Sequence, residues 1–233
     1  MSITAEQLAA IMPPATELLS DEPEMESSLH ALQLRMLVNI LEWYWRDRND
    51  FFIGDNLTVY FSREQLKTHD FRGPDFFLVK GVERRHRPSW VVWEEGKFPD
   101  LIIELLSEST ATIDRHIKKT IYEERFRTPE YFWFSPITGE FRGFRLYGNE
   151  YQEIAPDDQG RLWSQVLNLY LGTHNQLLRF FGSDGALISA PDEAAEEALE
   201  KAAQEALRAE QEALRAERFA EKLRELGVDP KSI

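Results

Sequence analysis

Two Pro-Asp dipeptides each open an apolar run that has the composition of a buried strand. Pro74-Asp75 precedes FFLV, and Pro99-Asp100 precedes LIIELL, in which Glu104 stands among branched apolar residues. Such a run predicts a strand buried on both faces, where an unpaired carboxylate carries a large desolvation cost. Glu104 therefore needs a partner, and Asp75 can converge with it if the two strands are neighbours. Asp100 is expected to begin its strand rather than to bind an ion.

The two carboxylates have the chemistry of ligands for a hard cation. Mg²⁺ takes oxygen ligands and usually keeps several waters, so Asp75 and Glu104 suit it. Downstream, Asp114, Lys118 and Tyr122 are spaced by four residues, which places them on one face of a helix. A lysine returning to Glu104 can polarise water or stabilise negative charge in a transition state. Together these groups predict a site for phosphodiester hydrolysis.

Each of these residues also has a purely structural interpretation. Asp75 can cap its own backbone at a turn. Glu104 can form a buried ion pair with Lys118, Lys119 or an arginine, which would also keep the acid charged. Lys118 can be a surface lysine, and Tyr122 can simply pack on the same helix face. The sequence leaves these alternatives open.

Composition excludes several other kinds of site. The chain has no Cys, so disulfides, thiolate metal sites and a cysteine nucleophile are ruled out. Its five His show no HxxxH or HxH spacing, so a zinc site built from histidine is not expected. A glycosidase with two carboxylates would leave the lysine without a role.

The charge of the chain bears on nucleic-acid binding. A formal net charge of −14 repels a polyanion at long range, so local basic patches must act against it. The cluster KGVERRHR at 80–87 is the candidate patch, expected in a loop next to the proposed site. Arg84, Arg85 and Arg87 could contact phosphates there. Alternatively, the loop is solvated and its cations pair with local acids such as Glu83.

The pattern of apolar residues predicts an α/β or α+β fold around one central sheet. Apolar residues recur every three or four positions over 26–46, which predicts an amphipathic helix, and a second helix is expected from about 110–112 to 126. Short β-like runs lie between and after them, at 57–61, 76–79, 90–93, 101–106, 131–134, 141–147, 150–154, 166–171 and 177–181.

The composition changes near residue 192 to Ala, Glu, Arg and Leu, and QEALRAE is repeated at 204–210 and 211–217. This segment predicts a long helix of high intrinsic propensity. An Ala-rich seam over 192–226 could pair with a second copy or a partner helix as a coiled coil, and a solvated, partly frayed helix is the alternative. The predicted domains are a core at 1–190 and a helical tail at 191–233.

The chain shows no membrane-targeting pattern. No window approaches 18 uninterrupted apolar residues, and the N-terminus lacks the basic segment and apolar core of a signal peptide. We therefore expect no membrane span and a cytoplasmic location.

Several segments together resemble the Uma2 family (DUF820) of putative restriction endonucleases, in the PD-(D/E)XK nuclease superfamily. The combination is fairly specific, although each piece alone is a weak signature. The matching segments are GPDFFLV at 73–79, PDLIIELLSEST at 99–110, the Asp-x3-Lys-x3-Tyr spacing at 114–122, PEYFWFSP at 129–136, and the run from VLNLYL to GSDGALI at 166–188.

The resemblance implies a restriction-endonuclease-like core, with a mixed central sheet flanked by helices, followed here by an extended C-terminal helix. It implies that Asp75 and Glu104 hold Mg²⁺, with Mn²⁺ as a possible substitute. The superfamily usually places a lysine two residues after the acidic residue, where this chain has Leu106. Lys118 on the second helix would then supply the amine.

By the same analogy, Glu26 on the first helix is a possible additional acid, and Glu24 or His30 could take that place. The chain departs from the common family pattern on either side of PEYFWF. It has Arg127-Thr128 where the family commonly has Gly-Val, and Ser135-Pro136 where it commonly has Asp-Pro. These departures concern the scaffold more than the proposed ligands, and they leave open a member with weakened activity.

The resulting hypothesis is a metal-dependent DNA endonuclease that hydrolyses phosphodiester bonds and acts as a homodimer. The alternative is a catalytically inactive protein of the same fold, which binds a partner or a second copy of itself through the C-terminal helix.

Overall fold

A computed structural model of the chain describes residues 17–22, 25, 27–62, 73–107 and 113–225. Contacts within the chain divide it into two units, residues 1–188 and 189–233. The first unit contains the strands and all but one of the described helices, and the second contains one long helix.

The first unit is built on a mixed sheet of six strands, among the residues described. The sheet order is β1-β3-β5-β6-β7-β8, and neighbours are antiparallel except for the parallel pair β5–β6. The predicted α/β fold with a mixed central sheet and flanking helices is therefore confirmed. The strands are β1 (Phe51–Asp55), β2 (Val59–Tyr60), β3 (Phe76–Lys80), β4 (Trp90–Val91), β5 (Leu101–Leu105), β6 (Glu130–Phe134), β7 (Phe141–Tyr147) and β8 (Glu150–Glu153). Of these, β2 and β4 form a separate parallel pair.

The parallel pair β5–β6 fixes the place of the second predicted helix. Parallel neighbours cannot be joined by a tight turn, so the chain between them must cross over one face of the sheet. The described part of this crossover contains two π-helical segments, Ile113–Lys118 and Ile121–Phe126. A helix was predicted here, but the π-helical form was not. Such segments occur frequently at functional sites.

A hydrophobic core lies between the crossover and the sheet. Its buried side chains include Ile102 from β5, Tyr131 from β6 and Phe144 from β7, which lie side by side in the strand register. The crossover contributes Tyr122 and Phe126 to the same cluster. We call this side of the sheet the crossover face.

Helix α1, Ser28–Tyr44, packs on the opposite face. Its first turn is capped by Ser27, whose side-chain oxygen accepts a hydrogen bond from the His30 backbone. Just beyond its end, Trp45 packs edge-on against Phe51, with 5.2 Å between ring centroids. Because side chains alternate along a strand, Phe51 points away from the crossover face, on which its neighbour Phe52 packs.

A second sheet of three strands completes the first unit beside α1. Its strands are β9 (Leu162–Ser164), β10 (Leu169–His174) and β11 (Leu177–Phe181), all antiparallel. The Gln33 amide of α1 donates to the Leu178 carbonyl and accepts from the Leu178 N–H, at 3.0 and 2.8 Å. This paired hydrogen bond fixes the helix to β11.

The buried carboxylate of Glu130 ties the two sheets together. It is 1% exposed and faces Arg145, its partner in the β6–β7 register, with Arg145 Nε and Nη2 at 3.0 and 2.9 Å. It also accepts hydrogen bonds from Ser164 Oγ and from the backbone N–H groups of Gln165 and Val166. The loop after β9 is thereby fastened to the central sheet.

Several predicted boundaries differ from those observed. Strands β1 and β9 were not predicted, and the run predicted at 90–93 divides into β4 and the short helix α2, Val92–Glu95. The sequence of β1, FFIGD, contains Gly54, which weakens a strand pattern. The structure supplies the reason for this glycine, because a side chain there would collide with the Phe77 ring on β3.

The second unit contains helix α3, Pro191–Glu225, which is 35 residues long. It carries Asp192 and Glu193 in its first turn and Lys222 and Arg224 in its last turn, as the helix dipole favours. None of its residues is buried among the described part of the chain. Although α3 is long, neither it nor any other described helix is apolar enough to cross a membrane. Its pairing with a partner or with a second copy stays a prediction.

The Glu130 network generates a prediction about stability. Replacing Glu130 with Ala leaves Arg145, which is 15% exposed, without its carboxylate, and it releases the loop after β9. Because breaking a buried ion pair from one side is costly, we expect the free energy of unfolding to fall by about 3–5 kcal/mol in urea denaturation. Glu153→Ala is the control, since its pair with Arg142 is exposed on the surface and should contribute at most about 1 kcal/mol. Equal losses for the two variants would contradict the structural role of Glu130.

Candidate active site

Glu104 lies on β5 with its carboxylate on the crossover face and is 0% exposed. Its two oxygens are held by two residues of the crossover that are four positions apart. The Tyr122 hydroxyl donates to Oε1 at 2.7 Å, and Lys118 Nζ lies 3.0 Å from Oε2. A charged partner and a hydroxyl therefore replace the water that the buried acid has lost.

Asp75 lies beside Glu104 at the same end of the neighbouring strand. The last paired residues of β3 and β5 are Phe76 and Ile103, so the next position in the antiparallel register sets Asp75 opposite Glu104. The Asp75 N–H is 3.4 Å from Glu104 Oε2, and Asp75 Oδ2 accepts a hydrogen bond from the Leu105 N–H at 2.7 Å. The two residues therefore lie side by side at the same end of neighbouring strands. This hydrogen bond of Asp75 crosses to the neighbouring strand instead of capping its own turn.

Lys118 is the lysine that reaches the site. It is 8% exposed, and Nζ contacts the Gly73 carbonyl at 3.4 Å in addition to Glu104. The adjacent Lys119 points elsewhere, with its Nζ 3.8 Å from the centre of the Phe144 ring. The position two residues after Glu104 is filled by Leu106, which packs in the hydrophobic core.

The two acidic residues of the site carry the oxygen donors that hard divalent cations prefer. Among the described residues, no group of three or more His, Cys, Asp or Glu side chains is placed to hold a metal ion. Mg²⁺, however, is commonly bound through one or two carboxylates, with water in its remaining positions. Asp75 and Glu104 supply such a pair with oxygen donors alone. Because each carboxylate oxygen can accept more than one contact, the bonds from Lys118 and Tyr122 leave this role possible.

An ion pair at the end of β6 adjoins the site. Trp133 is the register partner of Glu104 on β6 and faces the same side of the sheet. Its indole N–H donates to Glu140 Oε1 at 3.1 Å, and Glu140 Oε2 pairs with Arg115 at 2.5 Å. Arg115 comes from the same π-helical segment as Lys118, so this pair also anchors the crossover near the site.

The additional acid predicted on the first helix, Glu26, lies outside the described residues, as does its alternative Glu24. The other alternative, His30, is buried between Ser27 Oγ and the Leu106 carbonyl, at 2.8 and 3.1 Å from its ring nitrogens. This contact places the start of α1 at the end of β5, two residues beyond Glu104. The Asp114 side chain also falls outside the described part.

The basic loop occupies a different place from the one expected. It was expected next to the site, but it follows Lys80 at the far end of β3 from Asp75, about 17 Å away at about 3.3 Å per residue. Arg87 is 5% exposed and donates hydrogen bonds to both carboxylate oxygens of Glu95, at 2.7 and 3.0 Å. The loop therefore lies away from the carboxylate pair, and Arg87 is committed to an internal ion pair.

The two other loop arginines also face carboxylates. Arg85 pairs with Glu95 at 2.7 Å, and Arg84 pairs with Glu42 of α1 at 3.3 Å. The pairing with local acids that the sequence left open is thus present, with Glu95 and Glu42 as the acids in place of Glu83. Nucleic-acid contact by Arg84 and Arg85 stays a prediction.

Asp100 has the structural role expected of it. Its Oδ2 accepts a hydrogen bond from the Lys80 N–H at 2.7 Å and pairs with Lys97 at 2.7 Å. It belongs to the start of β5, whereas Glu104 belongs to its end. The two Pro-Asp dipeptides therefore have the same sequence but different structural roles.

The part that sequence reasoning missed is the hydroxyl of Tyr122. Its spacing of four from Lys118 indicated a shared helix face, and packing on that face was the simplest interpretation of the ring. Only the structure brings the hydroxyl to Glu104. The signal that could have revealed this contact is a buried acid on one strand, followed on the next helix by a lysine and a tyrosine four residues apart.

A match to a family model agrees with the resemblance in the sequence. The model of the family Uma2, described as "Putative restriction endonuclease", matches residues 6–176. A search of curated proteins found no match. A similar solved structure is a crystal structure of a putative nuclease belonging to DUF820 from Anabaena variabilis. It is 15% identical, with a TM-score of 0.45, and the match covers 71% of this chain and 91% of that chain.

The pair between Glu104 and Lys118 generates a prediction about stability. Replacing Lys118 with Met leaves a fully buried carboxylate without its ammonium, so we expect the free energy of unfolding to fall by about 3–5 kcal/mol. Urea denaturation near pH 7 measures this loss. Adding Glu104→Gln to the variant should recover part of it, because the two residues act as one pair.

Lys119→Met is the matched control, since it removes the neighbouring lysine, which packs over Phe144 and should contribute about 1 kcal/mol or less. If Lys118→Met and Lys119→Met cost the same, or if the double variant shows additive losses, the buried pair has no special role in stability.

Proposed function

Because the chain belongs to the Uma2 family, described as putative restriction endonucleases, we propose that it is a metal-dependent endonuclease that hydrolyses phosphodiester bonds in DNA. In this proposal Asp75 and Glu104 hold Mg²⁺ or Mn²⁺, and Lys118 assists the reaction. DNA is proposed as the substrate on the basis of the family alone.

The observation that carries the proposal is the convergence of three charged side chains at one end of β3 and β5. Asp75 lies opposite Glu104 in the strand register, and Lys118 Nζ is 3.0 Å from Glu104 Oε2. Glu104 thus pairs with Lys118, and Asp75 places a second carboxylate at the neighbouring register position, a donor pair that suits a divalent cation. Their backbone positions are held by the β3–β5 strand pair and by the crossover.

A divalent cation, when bound to these carboxylates, supplies Lewis-acid chemistry and lowers the pKa of coordinated water. The protein's own groups prepare the site for it. Asp75 is fixed by the Leu105 N–H, so its orientation does not depend on the ion.

Lys118 has two roles in this proposal. In the structure its ammonium group neutralises part of the charge on Glu104. Opposite a phosphodiester, the same ammonium can donate a hydrogen bond to a phosphate oxygen and stabilise the charge that grows there in the transition state. Its flexible stem allows the amine to reach either group.

The experiment that tests the proposal measures metal binding and DNA nicking in parallel. Calorimetric titration of Mn²⁺ into the wild type, Asp75→Ala and Glu104→Ala is followed by a plasmid-nicking assay in the same buffer. Removing a residue that only supports a metal ligand typically weakens metal binding by about 10- to 100-fold. We expect each of these substitutions, which remove a proposed ligand itself, to weaken binding by at least that much and to reduce nicking to background. Circular dichroism should show that both variants remain folded.

Asp100→Asn provides the matched control. It alters the other Pro-Asp dipeptide, whose carboxylate bonds to Lys80 and Lys97 rather than to the site. This variant should keep metal binding and nicking, even if its unfolding temperature falls. Nicking that survives Glu104→Ala at the wild-type rate, or that is lost equally in Asp100→Asn, would overturn the assignment of the site.

A further inference from the structure

We propose that Tyr122 is a positioning residue of the active site, and that its hydroxyl sets the orientation in which Glu104 meets the metal ion. The inference rests on the proposed function. In this role Tyr122 acts through Glu104 rather than on the substrate. Packing alone would not give the side chain such a role.

The first support is the division of the Glu104 carboxylate between its two neighbours. The Tyr122 hydroxyl takes Oε1 at 2.7 Å, whereas Lys118 Nζ and the Asp75 N–H face Oε2 at 3.0 and 3.4 Å. A carboxylate held at one oxygen by a directional hydrogen bond cannot turn freely about its terminal bond. Oε2 is therefore kept on the side of Asp75, where a shared ion would lie.

The second support is the rigidity of the tyrosine itself. Tyr122 is 0% exposed, and its ring centroid lies 5.3 Å from those of both Phe126 and Tyr131. A ring enclosed in this way has one rotamer available, so the hydroxyl reaches a fixed point in space. Packing fixes the Tyr122 side chain when the protein folds, so binding of the ion does not have to order it.

The third support is the position of Tyr122 on the crossover. It follows Lys118 by four residues, and the two side chains hold the two oxygens of one carboxylate. The hydroxyl therefore also fixes where the crossover lies along β5. Since Lys118 is carried by the same crossover, the hydroxyl positions the amine as well as the acid.

A residue that oriented a metal ligand would differ in its effects from one that only filled the core. Outer-shell partners of metal ligands typically change metal affinity by about 10- to 100-fold when removed. Tyr122→Phe keeps the ring and removes only the hydroxyl. A packing role predicts unchanged metal affinity for this variant, whereas a positioning role predicts weaker binding.

Tyr151→Phe is the matched control. Tyr151 stacks on Tyr131 in the same aromatic cluster, with 6.1 Å between ring centroids, and its hydroxyl donates to the Thr128 carbonyl at 2.8 Å. Burial, with the neighbouring Glu123 carboxylate, raises the pKa of this hydroxyl, so it stays neutral. The control therefore removes one bonded tyrosine hydroxyl from the same cluster without touching Glu104.

The test is calorimetric titration of Mn²⁺ into the full-length wild type and both variants, together with nicking rates at saturating Mn²⁺. We expect Tyr122→Phe to raise the Kd for Mn²⁺ by about 10- to 100-fold and to slow nicking even at saturation, because Lys118 is also displaced. Tyr151→Phe should leave both quantities within about twofold of the wild type. Unfolding of all three in urea checks that each variant is folded at the assay temperature.

The outcomes separate this inference from the proposed function. If the wild type binds Mn²⁺ and nicks DNA while Tyr122→Phe does both equally well, the positioning role is overturned and the proposed function stands. A loss of the same size in Tyr151→Phe also overturns it, since a general loosening of the cluster would then be the cause. If the wild type itself neither binds Mn²⁺ nor nicks DNA, the proposed function fails and this role fails with it.

Discussion

The burial of the Glu104 carboxylate is the constraint on which the rest of the first unit depends. A charged acid in the middle of a mixed sheet is tolerated only where other groups replace its hydration. The parallel pairing of β5 with β6 requires a crossover, and the crossover brings Lys118 and Tyr122 over the same face of β5. The topology of the sheet and the survival of a buried charge are therefore parts of one arrangement.

Two buried acids on adjacent strands show how burial can serve different ends. Glu130 of β6 points away from the crossover face and accepts hydrogen bonds from Arg145, Ser164 and two backbone N–H groups of one loop. That environment joins the two sheets. Glu104 of β5 lies on the other face, beside a second carboxylate at the end of a strand pair. Its surroundings are those of the proposed metal site, whereas those of Glu130 anchor a loop.

The sequence predicts much of this arrangement, for reasons that can be traced to particular residues. The apolar run around Glu104 indicated a buried strand and the need for a partner, and the spacing of four between Lys118 and Tyr122 was kept although the segments are π-helical.

Some other features could not be predicted because they depend on contacts between elements. The missed strand β1 contains Gly54, where a side chain would collide with the Phe77 ring of a neighbouring strand. The position of the basic loop was wrong because Asp75 stands at the start of β3 and the loop follows its other end, a separation that chain order already implies. The hydrogen bond from Tyr122 was missed because it joins residues from different elements, and Glu26 falls outside the described part of the chain.

The ion pair between Lys118 and Glu104 has a consequence for how members of such a family would diverge. Losing either residue exposes the fold to an unpaired buried charge, so selection for folding alone would preserve both, even in a descendant that no longer cleaved anything. Among descendants that keep the fold, the glutamate and the lysine are therefore expected to persist or to be lost together, whether or not the proposed cleavage is retained.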